Sequence, residues 1–204
     1  MRNLFIFIGL LLFTPFSLSS NTATEEGVMI NGVRWATRNV DAPRTFTTNP
    51  EDTGQFYRWG ERRGWTPASA SSNWNYSLPT ATTWTRANDP CPQGWRIPNE
   101  DEMRVLREAP YERVSRNGVS GILVGTAPHQ IFMPATGWLL EYDGRHVGFG
   151  ANGYYWSDLR TGTGFARYFG FNRNSLSLSR TNRGYGFTIR CVRDEQSNPY
   201  AIQR

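Results

Sequence analysis

Few side chains in this sequence are equipped for chemistry. There are two cysteines, Cys91 and Cys191, and two histidines, His129 and His146. A nucleophilic Cys91 would need its thiolate held by a cation, often a histidine, and no such base stands beside it in sequence. A zinc site draws on closely spaced soft ligands, which two lone cysteines and two lone histidines do not readily supply. The run Glu100-Asp101-Glu102 clusters carboxylates, but it opens a helical pattern and is better explained as the acidic first turn of a helix. HExxH, EF-hand and GxSxG motifs are absent. Gly148 to Gly153 (GFGANG) satisfies GxGxxG, yet the strand-like YYWSD follows where a dinucleotide site needs a helix. These are turn glycines. All 22 basic residues are arginine, so lysine Schiff-base and PLP chemistry are excluded. No metal and no cofactor is expected.

What remains for the cysteines is a covalent staple, with free or reactive thiols as the alternative. The compartment favours the staple. Met1-Arg2-Asn3 is a short positive segment, Leu4 to Phe13 is apolar, and small residues follow to Ser20. That is the layout of a secretory signal peptide over residues 1–20, cleaved after Ser19 or Ser20. The apolar run is shorter than the ~20 residues a membrane span requires. In an exported chain, two cysteines permit one intramolecular bridge. Closing so long a loop stabilises by roughly 4–5 kcal/mol in the loop-entropy view.

The elements that position these residues read as one domain. Residues 21–27 are polar and expected to be flexible, residues 28–194 form the domain, and residues 195–204 form a tail. Asn31-Gly32 between apolar runs signals a hairpin. Residues 66–90 are rich in Ser, Thr, Ala, Asn and Pro and read as a long loop. A helix begins after Pro98, with Asn99 as N-cap and Glu102 at the capping-box position. Met103, Leu106 and Ala109 share one face, and Pro110 ends it. Short strand-like segments separated by Gly turns follow, among them QIFMPATGWLLEY, GYYWSD, FARYFGF, SLSLSR and GFTIRCV. The fold class is α+β, with short, mainly antiparallel strands, one or two helices and long loops.

The segments GVRWATRNVDAP, GQFYRWG, NDPCPQGWRIPNEDEMRVL, FMPATGW, GYYWSD and TIRCVR occur in this order. Together they resemble the Fibrobacter succinogenes major paralogous domain family from about Val28 to Arg193. The resemblance implies an exported or cell-surface protein of Bacteroidota or related bacteria, and no general activity. GWRIPNEDEMRVLREA also looks like the helix segment of formylglycine-generating sulfatase-modifying proteins, which implies a C-type-lectin-like architecture. The implied Cys91–Cys191 bridge agrees with the compartment argument. The paired cysteines of the oxidase members and the calcium-ligand triplets of the sugar-binding lectins have no counterpart, so neither activity carries over.

Two classes of function follow. The first is a non-catalytic recognition or adhesion module of a bacterial envelope, with a glycan or an envelope protein as partner. Trp65, Trp74, Tyr76 and Trp84 are its candidate ligand-stacking rings, and Arg62 and Arg63 could meet anionic groups. The competing role for these rings is to pin the long loop to the core. Trp35, Trp59, Trp95, Trp138 and Trp156 are assigned to the core. The second is an enzyme acting on envelope or extracellular polymers, for which Asp158, His146 and Glu141 would have to converge. A structural subunit of a surface assembly is a third. The charge of +5 could favour anionic partners such as acidic glycans, although a solvated arginine surface explains it more simply. The arginines are dispersed, which with export argues against nucleic acid. The mature protein is expected in the periplasm, at the cell surface or outside.

Overall fold

The computed structural model describes residues 25–195. The signal-peptide reading for 1–20, and the tail beyond residue 195, lie outside the described residues. No helix among the described residues is long and apolar enough to cross a membrane.

In chain order the elements are β1 (Val28–Ile30), β2 (Val33–Trp35), β3 (Phe56–Arg58), β4 (Gly64–Trp65), α1 (Pro67–Asn73), β5 (Trp95–Arg96) and α2 (Glu100–Glu108). They continue with β6 (Tyr111–Arg116), β7 (Val119–Thr126), β8 (His129–Pro134), β9 (Trp138–Leu139), β10 (His146–Val147) and β11 (Gly153–Arg160). The last are β12 (Phe165–Phe171), β13 (Leu176–Asn182), β14 (Gly186–Phe187) and β15 (Val192–Arg193). Four small sheets result, ordered β1-β2-β15-β5, β10-β9-β14-β3-β4, β11-β12-β13 and β6-β7-β8. Every strand pair in them is antiparallel. The α+β class is therefore correct, and both helices are short.

Local sequence explains several elements directly. Asn31 and Gly32 both take positive φ, 45° and 87°, as a two-residue hairpin turn between β1 and β2 demands. Asn99 accepts from the Glu102 amide and Glu102 returns a bond to the Asn99 amide, both at 2.8 Å. This is the capping box expected for α2. Its buried face is Met103 and Leu106, followed by Ala109. These pack with Trp35, Tyr155, Phe169 and Phe171 in one apolar cluster. A second cluster surrounds Trp59, Trp95, Trp156, Phe187 and the two cysteines. Phe56, Trp65, Ala70, Trp74 and Leu139 form a third.

Two elements differ from expectation. Residues 66–90 contain α1, whose cap is Thr66 with Pro67 at the first helical position and Ser69 completing a capping box. Its low-propensity sequence, PASASSN, hides a helix that burial of Ala70 and the cap support. Strand β6 (YERVSR) pairs with β7 across a turn at Asn117-Gly118. Its side chains are exposed or half-buried, so it carries no alternating apolar signal.

Candidate functional site: an arginine-lined groove

Cys91 and Cys191 are joined, with their Cα atoms 6.1 Å apart and a sequence separation of 100. Both are fully buried. The bridge ties the turn leading into β5 to the residue before β15, and these strands pair with Arg193 opposite Trp95. On its other side β15 pairs with β2, Val192 opposite Trp35. Trp35 and Val192 point into the core. Because strand side chains alternate, Arg34 and Arg193 lie on the outer face. One step along the register sets them side by side. Met29 stands opposite Arg34 on β1, so a row Met29, Arg34, Arg193, Trp95 crosses the sheet.

The turn before β5 is firmly held. The buried carboxylate of Asp89 accepts from the amides of Cys91 at 2.7 Å and Ile97 at 3.3 Å. Arg86 donates to the carbonyl of Trp95 at 3.1 Å, and the Asp194 amide donates to that of Gly94 at 2.9 Å. Trp95 is thereby fixed with its face under the Arg193 guanidinium, 5.4 Å from the ring centre, and its edge against Phe46 at 5.6 Å. Gly27 crosses the same ring at positive φ. A Cβ there would come within 2.6 Å of Trp95 and 2.7 Å of the Trp35 carbonyl, so only glycine lets the chain pass.

Above this floor lies an open groove of about 1060 Å³. Its walls are the Glu25–Glu26 arm, residues 44–48 and Pro92-Gln93. Four arginines line it: Arg34, Arg38, Arg44 and Arg193. Glu25 bonds Arg38 at 2.9 Å and Thr37 at 3.0 and 2.8 Å. Burial pushes the Glu25 carboxyl up, but the Arg38 and Thr37 bonds outweigh it and hold it below its usual range. Residues 25–27 are thus seated in the fold. Arg34 and Arg193 make no ion pair among the described residues. Arg44 adopts φ 71°, a left-handed conformation that a long side chain rarely takes. It is held there by its amide, which donates to the Pro90 carbonyl at 2.7 Å, and by its guanidinium, which donates to the Arg86 carbonyl at 2.9 Å. Its Nε is buried with no hydrogen-bond partner among the described residues.

Sequence reasoning placed the binding surface elsewhere. Trp65 and Trp74 are 2% and 6% exposed and do not offer ring faces to a ligand. They pack edge to face at 5.1 Å, Arg63 covers Trp65 at 3.9 Å, and Trp74 donates from its indole nitrogen to Glu141. Trp84 is half-buried against Trp59. These rings pin the long loop. Arg183 completes the attachment through the carbonyls of Pro79 and Thr163 and that of Ala81. Of the candidates, only Tyr76, Arg62 and Arg63 are exposed, and Tyr76 makes no ring contact with the others. Trp138, assigned to the core, is half-buried; Trp35, Trp59, Trp95 and Trp156 are buried.

Asp158, His146 and Glu141 occupy three neighbourhoods. Asp158 lies with the Arg96–Glu102 pair, and burial raises its carboxyl to about 6 despite Arg96. His146 bonds the Thr136 carbonyl at 2.8 Å and packs between Phe56 and Phe149. Glu141 lies beside Gly184 and Tyr185.

The groove residues were missed because they are scattered at positions 34, 44, 95 and 193. The available signal was strand alternation: in VRW (33–35) the arginine must face away from the side that Trp35 buries. A scan against family models, a search of curated proteins and a search of solved structures each find no match for this chain.

Proposed function

We propose that this protein is an exported, non-catalytic recognition module that captures a polyanionic ligand, an acidic glycan foremost, in the arginine groove. The observation that carries the reading is the outer row of the β1-β2-β15-β5 sheet. Like charges set side by side across strands are destabilising, and among the described residues no ion pair joins Arg34 or Arg193 to a carboxylate. A carboxylate or sulfate seated there would relieve the repulsion and take paired guanidinium hydrogen bonds. Phe46, half-buried on the groove wall, adds an apolar contact for a sugar ring. The strained Arg44 beside them fits the tendency of backbone strain to gather at binding sites. The likeness to the Fibrobacter succinogenes major paralogous domain family supports export.

The test is native gel electrophoresis through immobilised polygalacturonate at low and high salt. The wild type should be retarded, less so at high salt, and Arg34→Ala with Arg193→Ala should weaken binding about tenfold or more. Equal retardation of wild type and double variant, or none in the wild type, sinks the reading.

A further inference from the structure

A second surface, sharing no residue with the groove, has a different chemistry. On β12, Tyr168 and Gly170 face the same side of the β11-β12-β13 sheet. The register sets Tyr154 and Ser177 against Gly170, and Trp156 and Ser179 against Tyr168. Trp156 is buried, while Tyr154 and Tyr168 are half-open. They flank Phe187, which stacks on Tyr154 at 5.1 Å and meets Tyr168 edge-on at 5.1 Å. Trp138 closes one end against Tyr154 at 4.9 Å, and Tyr185 the other against Phe187 at 5.9 Å. A Cβ on Gly170 would come within 2.8 Å of Tyr168 and 3.1 Å of Tyr154. Gly170 therefore lets the two rings close together over the strand.

The rim of this face is made of hydroxyls and one carboxylate. The Tyr185 hydroxyl stands at Glu141; burial and that carboxylate push the phenol up to about 12, so it remains an O–H donor. Glu141 Oε2 is shielded from solvent and lacks a well-formed hydrogen-bond partner among the described residues. Tyr142, 56% exposed, stands next to it. Beyond a register shift, the next pair on this face is Arg160 opposite Ala166.

We propose that this face is a binding site for uncharged sugar residues. The C–H face of a pyranose stacks on rings such as Tyr154 and Tyr168, and its hydroxyls exchange hydrogen bonds with Ser179 and with Tyr185, whose hydroxyl Glu141 orients. The amphipathic rings suit a ligand that is apolar on its face and polar at its edge. An anionic sugar is disfavoured beside Glu141, so the preference is opposite to that of the groove.

The experiment is native gel electrophoresis of the purified protein through three neutral polysaccharides: a β-glucan, a galactomannan and a xyloglucan. The expected result is retardation by at least one of them that is insensitive to salt. Tyr168→Ala should weaken it about tenfold. Glu141→Gln and Tyr185→Phe, which keep side-chain size, should each weaken it several-fold, so a folding defect of the alanine variant leaves the test intact. Arg34→Ala with Arg193→Ala should leave it unchanged, which separates this site from the groove. Passage through all three gels, or equal retardation of wild type and the conservative variants, overturns the proposal. So does concentration-dependent self-association abolished by Tyr168→Ala, which would make the face a protein interface.

Discussion

The arginine groove and the tyrosine face are both rows of side chains across short antiparallel sheets, yet they are held in place by different means. The groove floor joins strands remote in sequence, β2, β5 and β15, and depends on the disulfide for that junction. The tyrosine face lies on adjoining strands, β11 and β12, and is set by ring packing around Phe187. One is cationic, fastened covalently and bordered by a strained arginine. The other carries a carboxylate and hydroxyls and is fastened by aromatic contacts. Short sheets with few residues each leave one covalent link or one ring cluster to decide whether a surface is rigid.

That contrast is open to breaking. The largest effect belongs to the staple: Cys91→Ser with Cys191→Ser should lower stability by about 4–5 kcal/mol in the loop-entropy view. Urea unfolding would measure it, and in the surviving folded fraction polygalacturonate binding should fall before neutral-sugar binding does. Next is Trp74→Ala. It removes a buried ring packed on Trp65 and bonded to the Glu141 carbonyl, and should lower stability by about 3–5 kcal/mol. Its functional effect should be confined to the tyrosine face, because Glu141 loses its support while the groove is untouched.

A smaller effect is tied to pH. Asp158 titrates at about 6 in the fold against 3.8 for an ordinary aspartate. The folded state therefore binds this proton more tightly than the unfolded state. The contribution is favourable below about pH 4 and is lost as pH rises from 4 to 6. Asp158→Asn should stabilise the protein at neutral pH by about 1–2 kcal/mol, a figure reduced for the group's partial exposure. The gain should vanish in acid, as thermal melts across that range would show. Glu25 has the opposite sign, its depressed carboxyl favouring the fold above its ordinary range and weakening it as pH falls. The smallest effect is that of Asn99→Ala, which removes the N-cap of α2 for about 1 kcal/mol and should spare both surfaces, since neither includes that helix.

How far the sequence spoke for itself depended on how local each feature is. The α2 cap, its buried face and the Asn31-Gly32 turn are set by neighbouring residues and were legible in full. The disulfide was legible from the cysteine count and the signal-peptide-like pattern of residues 1–20. The burial of the loop tryptophans was not legible, because a ring in a polar segment looks available for ligands. Trp65 and Trp74 instead bury each other, and the contact partners that decide this, Arg58 and Glu141, are distant in sequence. The two arginines of TIRCVR show the same limit. Arg190 is fully buried, with its guanidinium bonded to Asn39 and Ala36. Arg193 is exposed and lines the groove. No local pattern separates them, because burial is decided by which strand each residue meets.

The most direct test of the groove as the recognition site is hydrogen exchange followed by mass spectrometry, with and without oligogalacturonate. The account predicts slowed exchange in peptides covering residues 33–35, 44–48 and 93–95 and residue 193, and no change across residues 62–84. Protection confined to residues 62–84, or absent from the groove peptides at saturating ligand, would contradict it.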